Sequence, residues 1–125
     1  MDNYSIIMPT PTDIILHQKS KTLEIAFEDG AHYHLPFEYL RVYSPSAEVK
    51  GHGPGQEVLQ VGKKNVIVTE LEPVGSYALK IVFDDGHDSG LYSWDYLHEL
   101  GKYQNAMWED YLDRMQQAGA SREPA

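Results

Sequence analysis

The sequence predicts an α+β fold: a mainly antiparallel sheet built from two strand–turn–strand–helix units, with a C-terminal amphipathic helix packed on it. Three observations carry this expectation. Two alternating apolar segments, Leu23-Glu24-Ile25-Ala26-Phe27-Glu28 and Leu79-Lys80-Ile81-Val82-Phe83-Asp84, each run into an Asp-Gly turn, at Asp29-Gly30 and Asp85-Gly86. Each turn is followed by a returning segment and then a Tyr-Leu pair, Tyr39-Leu40 and Tyr96-Leu97, within a short helical pattern. The chain then closes on an apolar stripe at helical spacing. The offset between the two units is 56 at the hairpins and 57 at the Tyr-Leu pairs, so one residue is inserted between them. Internal duplication and convergent hairpin chemistry both account for this pattern.

Residues 1–10 read as a flexible lead-in, before Pro11. Thr12–His17 is β-branched and apolar, the pattern of a strand. In Thr22–Glu28, Leu23, Ile25 and Phe27 fall on one face, with Glu24 and Glu28 towards the other. Asp29-Gly30 supplies the left-handed backbone that a tight hairpin needs, and Ala31–Leu35 returns. Pro36 suits a helical first turn, where its missing N–H costs nothing, so a short helix is expected from Phe37 to about Val42. Ser44–Gln56 is rich in Gly and Pro and reads as loop. Val58–Val61 and Asn65–Leu71 read as strands separated by Gly62-Lys63-Lys64, and Pro73-Val74-Gly75 as a turn or bulge before a strand from Tyr77. His87–Tyr92 returns from the second hairpin, Ser93 is an N-cap, and Trp94–Leu100 forms a helix. Met107, Trp108, Tyr111, Leu112 and Met115 make the C-terminal stripe, Gly119 stops it, and residues 120–125 are expected to fray.

Composition narrows the function classes. The 125 residues suffice for one domain with a real core. No cysteine is present, which excludes disulfides, thiolate zinc sites, cysteine catalysis and self-ligated iron–sulfur clusters. The formal charge of −9 argues against nucleic acid as the partner, because counterion release needs a basic surface. No apolar run approaches the roughly 20 residues that span a bilayer, so no membrane partner is expected. Met1-Asp2-Asn3-Tyr4 lacks the basic start of a secretory signal, and the expected location is cytoplasmic.

Familiar catalytic motifs fail one by one. The Gly51-His52-Gly53-Pro54-Gly55 loop is followed by Gln56-Glu57-Val58, without the Gly-Lys-Ser/Thr that opens a phosphate-binding helix. His98-Glu99 begins like a metalloprotease helix, but the second histidine position is Lys102. Three histidines remain as a possible metal set: His32 and His34, two apart on one strand face, and His87 just beyond the second hairpin. An acid–base site built from His52 and the hairpin carboxylates is a further alternative.

Four motifs in order carry a resemblance. They are Leu35-Pro36-Phe37-Glu38-Tyr39-Leu40-Arg41-Val42-Tyr43-Ser44-Pro45-Ser46-Ala47-Glu48, the Gly51–Gln56 loop, Glu72-Pro73-Val74-Gly75-Ser76-Tyr77-Ala78-Leu79, and the stretch from Phe83-Asp84-Asp85-Gly86-His87 to Trp94-Asp95-Tyr96-Leu97. Together they closely resemble the gamma-butyrobetaine hydroxylase-like N-terminal domain family, over roughly Pro11 to Tyr103. The resemblance implies one domain over 11–119 once the C-terminal helix is included. In the hydroxylases this module precedes a 2-oxoglutarate- and iron-dependent catalytic domain, and it is also found appended to Mrp-type ATPases that handle iron–sulfur clusters. Stand-alone bacterial members have no known function. None of the six histidines here is followed two residues on by an acid, so the ferrous triad of the catalytic domain has no counterpart.

The hydroxylase module also carries a zinc held by three cysteines and one histidine, which match Ser44, Ser46, a position near Val49, and His87. With only His87 kept, no cofactor is expected, and hydrogen bonds are expected where the relatives use zinc. The resulting expectation is a non-catalytic accessory or protein-interaction domain, linked through its domain company to iron–sulfur or cofactor assembly. The partner's identity and the oligomeric state are not legible. Arg41, Ser44, Ser46, His52, Gln56, Trp94 and Asp95 are the expected contact residues. The alternative is a metal- or small-ligand-binding protein using His87 with His32 and His34.

Overall fold

In the computed structural model, which describes residues 9–125, each Asp-Gly hairpin joins the central strand of a three-stranded antiparallel sheet to one edge strand. The first eight residues of the expected lead-in lie outside the described residues. The first sheet has the order β1 (Pro11–His17), β2 (Thr22–Phe27), β3 (His32–Pro36), and it leads into the helices α1 (Phe37–Val42) and α2 (Ala47–Lys50). The second has the order β4 (Val68–Val74), β5 (Ala78–Phe83), β6 (Leu91–Ser93), and it leads into α3 (Trp94–Lys102) and α4 (Gln104–Gln117). The α+β class holds, with two sheets in place of the one expected.

The alternation read from the sequence places the core. Leu23, Ile25 and Phe27 of β2 and Leu79, Ile81 and Phe83 of β5 are all buried and belong to one continuous cluster. Phe37, Tyr39 and Leu40 of α1, Leu97 and Leu100 of α3, and Leu35, Val66, Val68 and Tyr92 belong to it as well. The C-terminal stripe buries Tyr111 and Met115 against Val42, with Trp108 and Leu112 alongside.

The two units are not merely similar. They grip each other reciprocally. Tyr39 of α1 donates its hydroxyl to the Leu100 carbonyl of α3 at 2.7 Å, and Tyr96 of α3 donates to the Tyr43 carbonyl after α1 at 2.5 Å. The Asp29 turn carboxylate of unit one meets His98 of α3 at 2.8 Å, while the Asp85 turn carboxylate of unit two meets Arg41 of α1 at 2.9 Å. Residue i meeting j while j′ meets i′ is the contact rule of a two-fold axis, here within one chain. The hairpins match in detail: the Asp29 and Asp85 side chains accept from the Ala31 and His87 N–H groups, and Gly30 and Gly86 have φ of 88° and 89°. These left-handed values explain why glycine ends both turns.

Several local expectations are corrected. Val58–Val61 forms no strand; the Val58 N–H bonds the Val49 carbonyl, and no sheet edge lies in register with it. The strand expected at Asn65–Leu71 is β4, three residues later, because its ladder is set by β5. Pro73 lies within β4, tolerated because β4 is an edge strand. Ser44–Gln56 contains α2, which starts where the Ser46 hydroxyl caps it by accepting from the Glu48 N–H. The return strand expected from His87 begins only at Leu91. The tail differs too. Ser121 and Arg122 carbonyls accept from Gly62 and Lys64, and Arg122 makes a bidentate pair with Glu38 at 2.7 and 2.8 Å.

The reciprocal hydroxyls generate the first prediction. Tyr39→Phe and Tyr96→Phe each remove one such hydrogen bond, and each is expected to cost about 1 kcal/mol in urea unfolding. A loss confined to one of the two variants would contradict the reciprocal arrangement.

Candidate functional site

The half-turn symmetry breaks at one corner, and that corner holds four of the sequence-predicted site residues. Leu91 lies opposite Lys80 as His34 lies opposite Glu24, so the residues just before them, Gly90 and Tyr33, are counterparts. In unit one Tyr33 packs flat on Gly101, where an added Cβ would stand 2.2 Å from the ring. In unit two the small residue directly precedes the strand: a Cβ on Gly90 would stand 2.5 Å from the Ser44 hydroxyl. The space taken by an aromatic ring in one half is therefore given to polar side chains in the other.

His87 occupies that space, 6% exposed. Its Nε2 lies 2.7 Å from the fully buried Ser44 Oγ, and its Nδ1 lies 3.0 Å from Glu48 Oε1. The carboxylate on Nδ1 fixes the proton there, so Nε2 accepts from Ser44. Ser44 Oγ in turn accepts from the Ser46 N–H at 3.2 Å. Ser89 donates to Glu48 at 2.9 Å and shares a hydrogen bond with Ser46 at 2.6 Å. The His87 carbonyl still accepts from the Phe83 N–H of β5 at 3.0 Å, but the side-chain bonds hold residues 88–90 outside the ladder, and β6 begins at Leu91.

A serine, a histidine and a carboxylate in series have the connectivity of an acyl-transfer triad. The surroundings deny it that chemistry. Ser44 exposes none of its surface and abuts Gly90 and Pro45, leaving no room for a carbonyl to approach its oxygen.

Arg41 and Asp85 form the floor of the corner. The Arg41 guanidinium, also buried, donates Nε to Asp85 and Nη1 to Gln60 at 2.8 Å. Lys63 reaches the same Asp85 oxygen at 2.6 Å. Burial would raise the Asp85 carboxyl, but hydrogen bonds from Lys63, the His87 N–H and Arg41 outweigh it and hold it at about 2. Burial, helped by the Arg41 charge, lowers the His87 imidazole below its ordinary value, although Glu48 and Asp85 pull the other way.

The predicted site residues thus divide. Arg41, Ser44, Ser46 and His87 converge. His52 and Gln56 lie on the exposed loop after α2, which turns at Gly51 (φ 74°), where a Cβ would strike the Gln56 carbonyl. Trp94 points elsewhere, donating its indole N–H to the Ser76 carbonyl at 2.7 Å, and Asp95 is exposed in the first turn of α3. His87 does not join His32 and His34, which project from β3 on the first sheet, so the three-histidine set does not assemble. The hairpin acids Asp29 and Asp85 are engaged by His98 and Arg41, not by His52. Glu48 and Ser89 join the corner without having been singled out by motif; no local pattern places the Glu48 carboxylate beside residue 87 or Ser89 beside Ser46.

Beside the corner, a cleft of about 370 Å³ runs between α2, residues 57–60 and α4. Val42, Val49, Leu59 and Tyr111 form its base, and Lys50, Glu57, Asp110 and Arg114 its rim. Lys50 lies over the Tyr96 ring at 4.8 Å and makes no ion pair among the described residues. Val58 and Val61 stand about half exposed nearby.

Two hairpin-centred units, clasped through their helices around a hydrogen-bonded serine–histidine corner, define an α+β domain of known type. The chain belongs to the gamma-butyrobetaine hydroxylase-like, N-terminal family, which it matches over residues 14–98. Two proteins solved in solution by NMR are similar throughout. One shares 53% identity over 94% of this chain and 93% of its own, with a TM-score of 0.82. The other shares 52% over 99% and 92%, with a TM-score of 0.81. A crystal structure of a protein of unknown function from Acidithiobacillus ferrooxidans, assigned to the DUF971 family, is 36% identical over 74% of this chain and 92% of its own, with a TM-score of 0.62. No functionally curated protein matches the chain.

The zinc implied by the hydroxylase relatives does not fit this corner. Two neutral hydroxyls and a valine stand where thiolates would be needed, and the His87 nitrogens are turned to Ser44 and Glu48. Hydrogen bonding links the same residues instead.

Titration of the corner gives the second prediction. The folded His87 value lies below the unfolded 6.5, so the unfolded chain takes up the proton first and stability falls as pH drops through the ordinary histidine range. The Asp85 contribution is present above the unfolded 3.8 and is lost as pH falls from there towards about 2. Urea midpoints measured from neutral to acid pH are expected to fall in two stages, and His87→Gln to flatten the first while keeping the second. An unchanged slope in the variant would remove His87 as the cause.

Proposed function

We propose that this chain is a non-catalytic protein-binding domain whose contact surface is the cleft between α2, residues 57–60 and α4. The observation that carries this reading is the contrast between the cleft and the corner. The corner's nucleophile, base and acid are consumed by one another, whereas the adjoining cleft presents an apolar base and, at its lip, a lysine that makes no ion pair among the described residues. On a chain of net charge −9, a cation standing over an aromatic ring is a selective feature. The partner that fits is a polypeptide segment that inserts an apolar side chain over Val49 and Leu59 and brings a carboxylate to Lys50. Exposed Val58 extends the apolar contact, and the loop carrying His52 and Gln56 leads into the Glu57 wall. Ser44 and Ser46 serve this surface from beneath by fixing the start of α2, and Arg41 by holding Gln60. The family's occurrence beside Mrp-type ATPases directs the search for that partner to iron–sulfur and cofactor assembly.

The test is affinity capture with the whole chain, followed by calorimetry against each purified protein recovered. Lys50→Glu and Val58→Asp, both at exposed positions, are expected to weaken binding about tenfold or more, roughly 1.4 kcal/mol, with thermal stability unchanged. Equal affinity in both variants would move the contact surface elsewhere.

A further inference from the structure

The outer face of the first sheet carries a cluster that neither the family corner nor the cleft uses. In an antiparallel sheet, side chains on one face meet across neighbouring strands. Here Glu24 on the central strand pairs with His34 on β3 and with Ile15 on β1, and His17 and His32 stand one diagonal away. Glu24 takes His17 Nε2 on one oxygen at 2.7 Å and His32 Nε2 on the other at 2.6 Å. The His34 ring stacks with His17 at 6.2 Å between centroids and lies 5.2 Å from His32. One donor atom from each of His17, Glu24 and His34 lies within 4.8 Å of the others. Three strands, each contributing to the same point, fix the backbone beneath it.

We propose that His17, Glu24 and His34, with His32 as a fourth donor, form a binding site for a divalent transition-metal ion of the zinc type. Imidazole nitrogen and carboxylate oxygen are the donors such an ion takes in the absence of thiolates, and three or four converging from rigid elements satisfy its tetrahedral preference. Small rotations about the side-chain torsions close the remaining distance, since all four groups are partly solvent-accessible and none is locked in the core. Glu24 is ionised: hydrogen bonds from His17 and His32 lower its carboxyl. The cluster is also not a by-product of the repeated scaffold. By strand register the equivalent positions on the second sheet are Val74, Lys80 and Leu91, which ligate nothing. The contrast with the family corner is chemical: there the ligands are gone, while here a borderline N/O donor set stands assembled.

Zinc and cobalt(II) titrations of the untagged chain test this. With no cysteine present, cobalt absorption reports imidazole and carboxylate ligation directly. One equivalent of zinc is expected to bind with micromolar affinity or better, and cobalt to show the intense visible bands of a low-coordinate site. His17→Ala, His34→Ala and Glu24→Gln are each expected to weaken zinc binding about tenfold or more, at least what removing an outer-shell partner costs. His87→Gln is expected to leave it unchanged. Circular dichroism establishes that each variant is folded. Absence of saturable binding at millimolar zinc, or unchanged affinity in a folded His17→Ala/His34→Ala double variant, would overturn the site.

Discussion

The reciprocal clasp between the two halves is the constraint on which the rest of the molecule depends. A three-stranded sheet with one helix buries only one face and exposes its core on the other. Each unit here solves that problem with its twin, donating a tyrosine hydroxyl into the other's helix and receiving one in return. The turn carboxylates add a second reciprocal pair, Asp29 with His98 and Asp85 with Arg41. Because the contacts cross between units, neither hairpin can shift without breaking bonds made by the other. Leu23, Ile25 and Phe27 then share one core with Leu79, Ile81 and Phe83.

Within that frame, individuality comes from where the two halves differ. Exchanging the Tyr33–Gly101 contact of one half for the Ser44–Gly90 contact of the other opens room for a buried imidazole. A buried imidazole needs partners on both nitrogens, and Ser44 and Glu48 supply them. Ser46 and Ser89 then complete Glu48 and the α2 cap. His98 and Arg41 show the same divergence at equivalent positions: the arginine is buried and held by Asp85 and Gln60, the histidine is held by the more exposed Asp29 alone. The corner where residues 41–48 of the first unit meet residues 85–89 of the second is polar inside, and the cleft lies beside it. The first unit also keeps three histidines outside, on the open face of its sheet.

The C-terminal segment closes the assembly. α4 covers Val42 through Tyr111 and Met115, and the chain beyond Gly119 turns back to bond residues 62 and 64 and to pair Arg122 with Glu38. Glu38 is buried, and both its carboxylate oxygens accept from that arginine. The same return holds residues 60–64 near Arg41 and Tyr111, whose hydroxyl bonds the Gln60 carbonyl at 2.7 Å. That fixes the segment forming one wall of the cleft.

What the sequence determined by itself was every feature governed by local periodicity and turn chemistry. The two Asp-Gly hairpins, the buried faces of β2 and β5, the Ser93 cap and the C-terminal stripe all follow from rules that act within a few residues. The four motifs sufficed for the family, and their serines told that its thiolates were absent. Only the tertiary structure decided that there are two sheets, that Val58–Val61 pairs with nothing, and that the tail is tied down, because these depend on what lies opposite in space. It also decided which histidines meet. His87 lies one turn from a hairpin in sequence yet finds Ser44 and Glu48, while His17 joins Glu24, His32 and His34 through a strand register that no spacing along the chain reveals. Side-chain chemistry is written locally, but the company it keeps is set by the packing of distant segments.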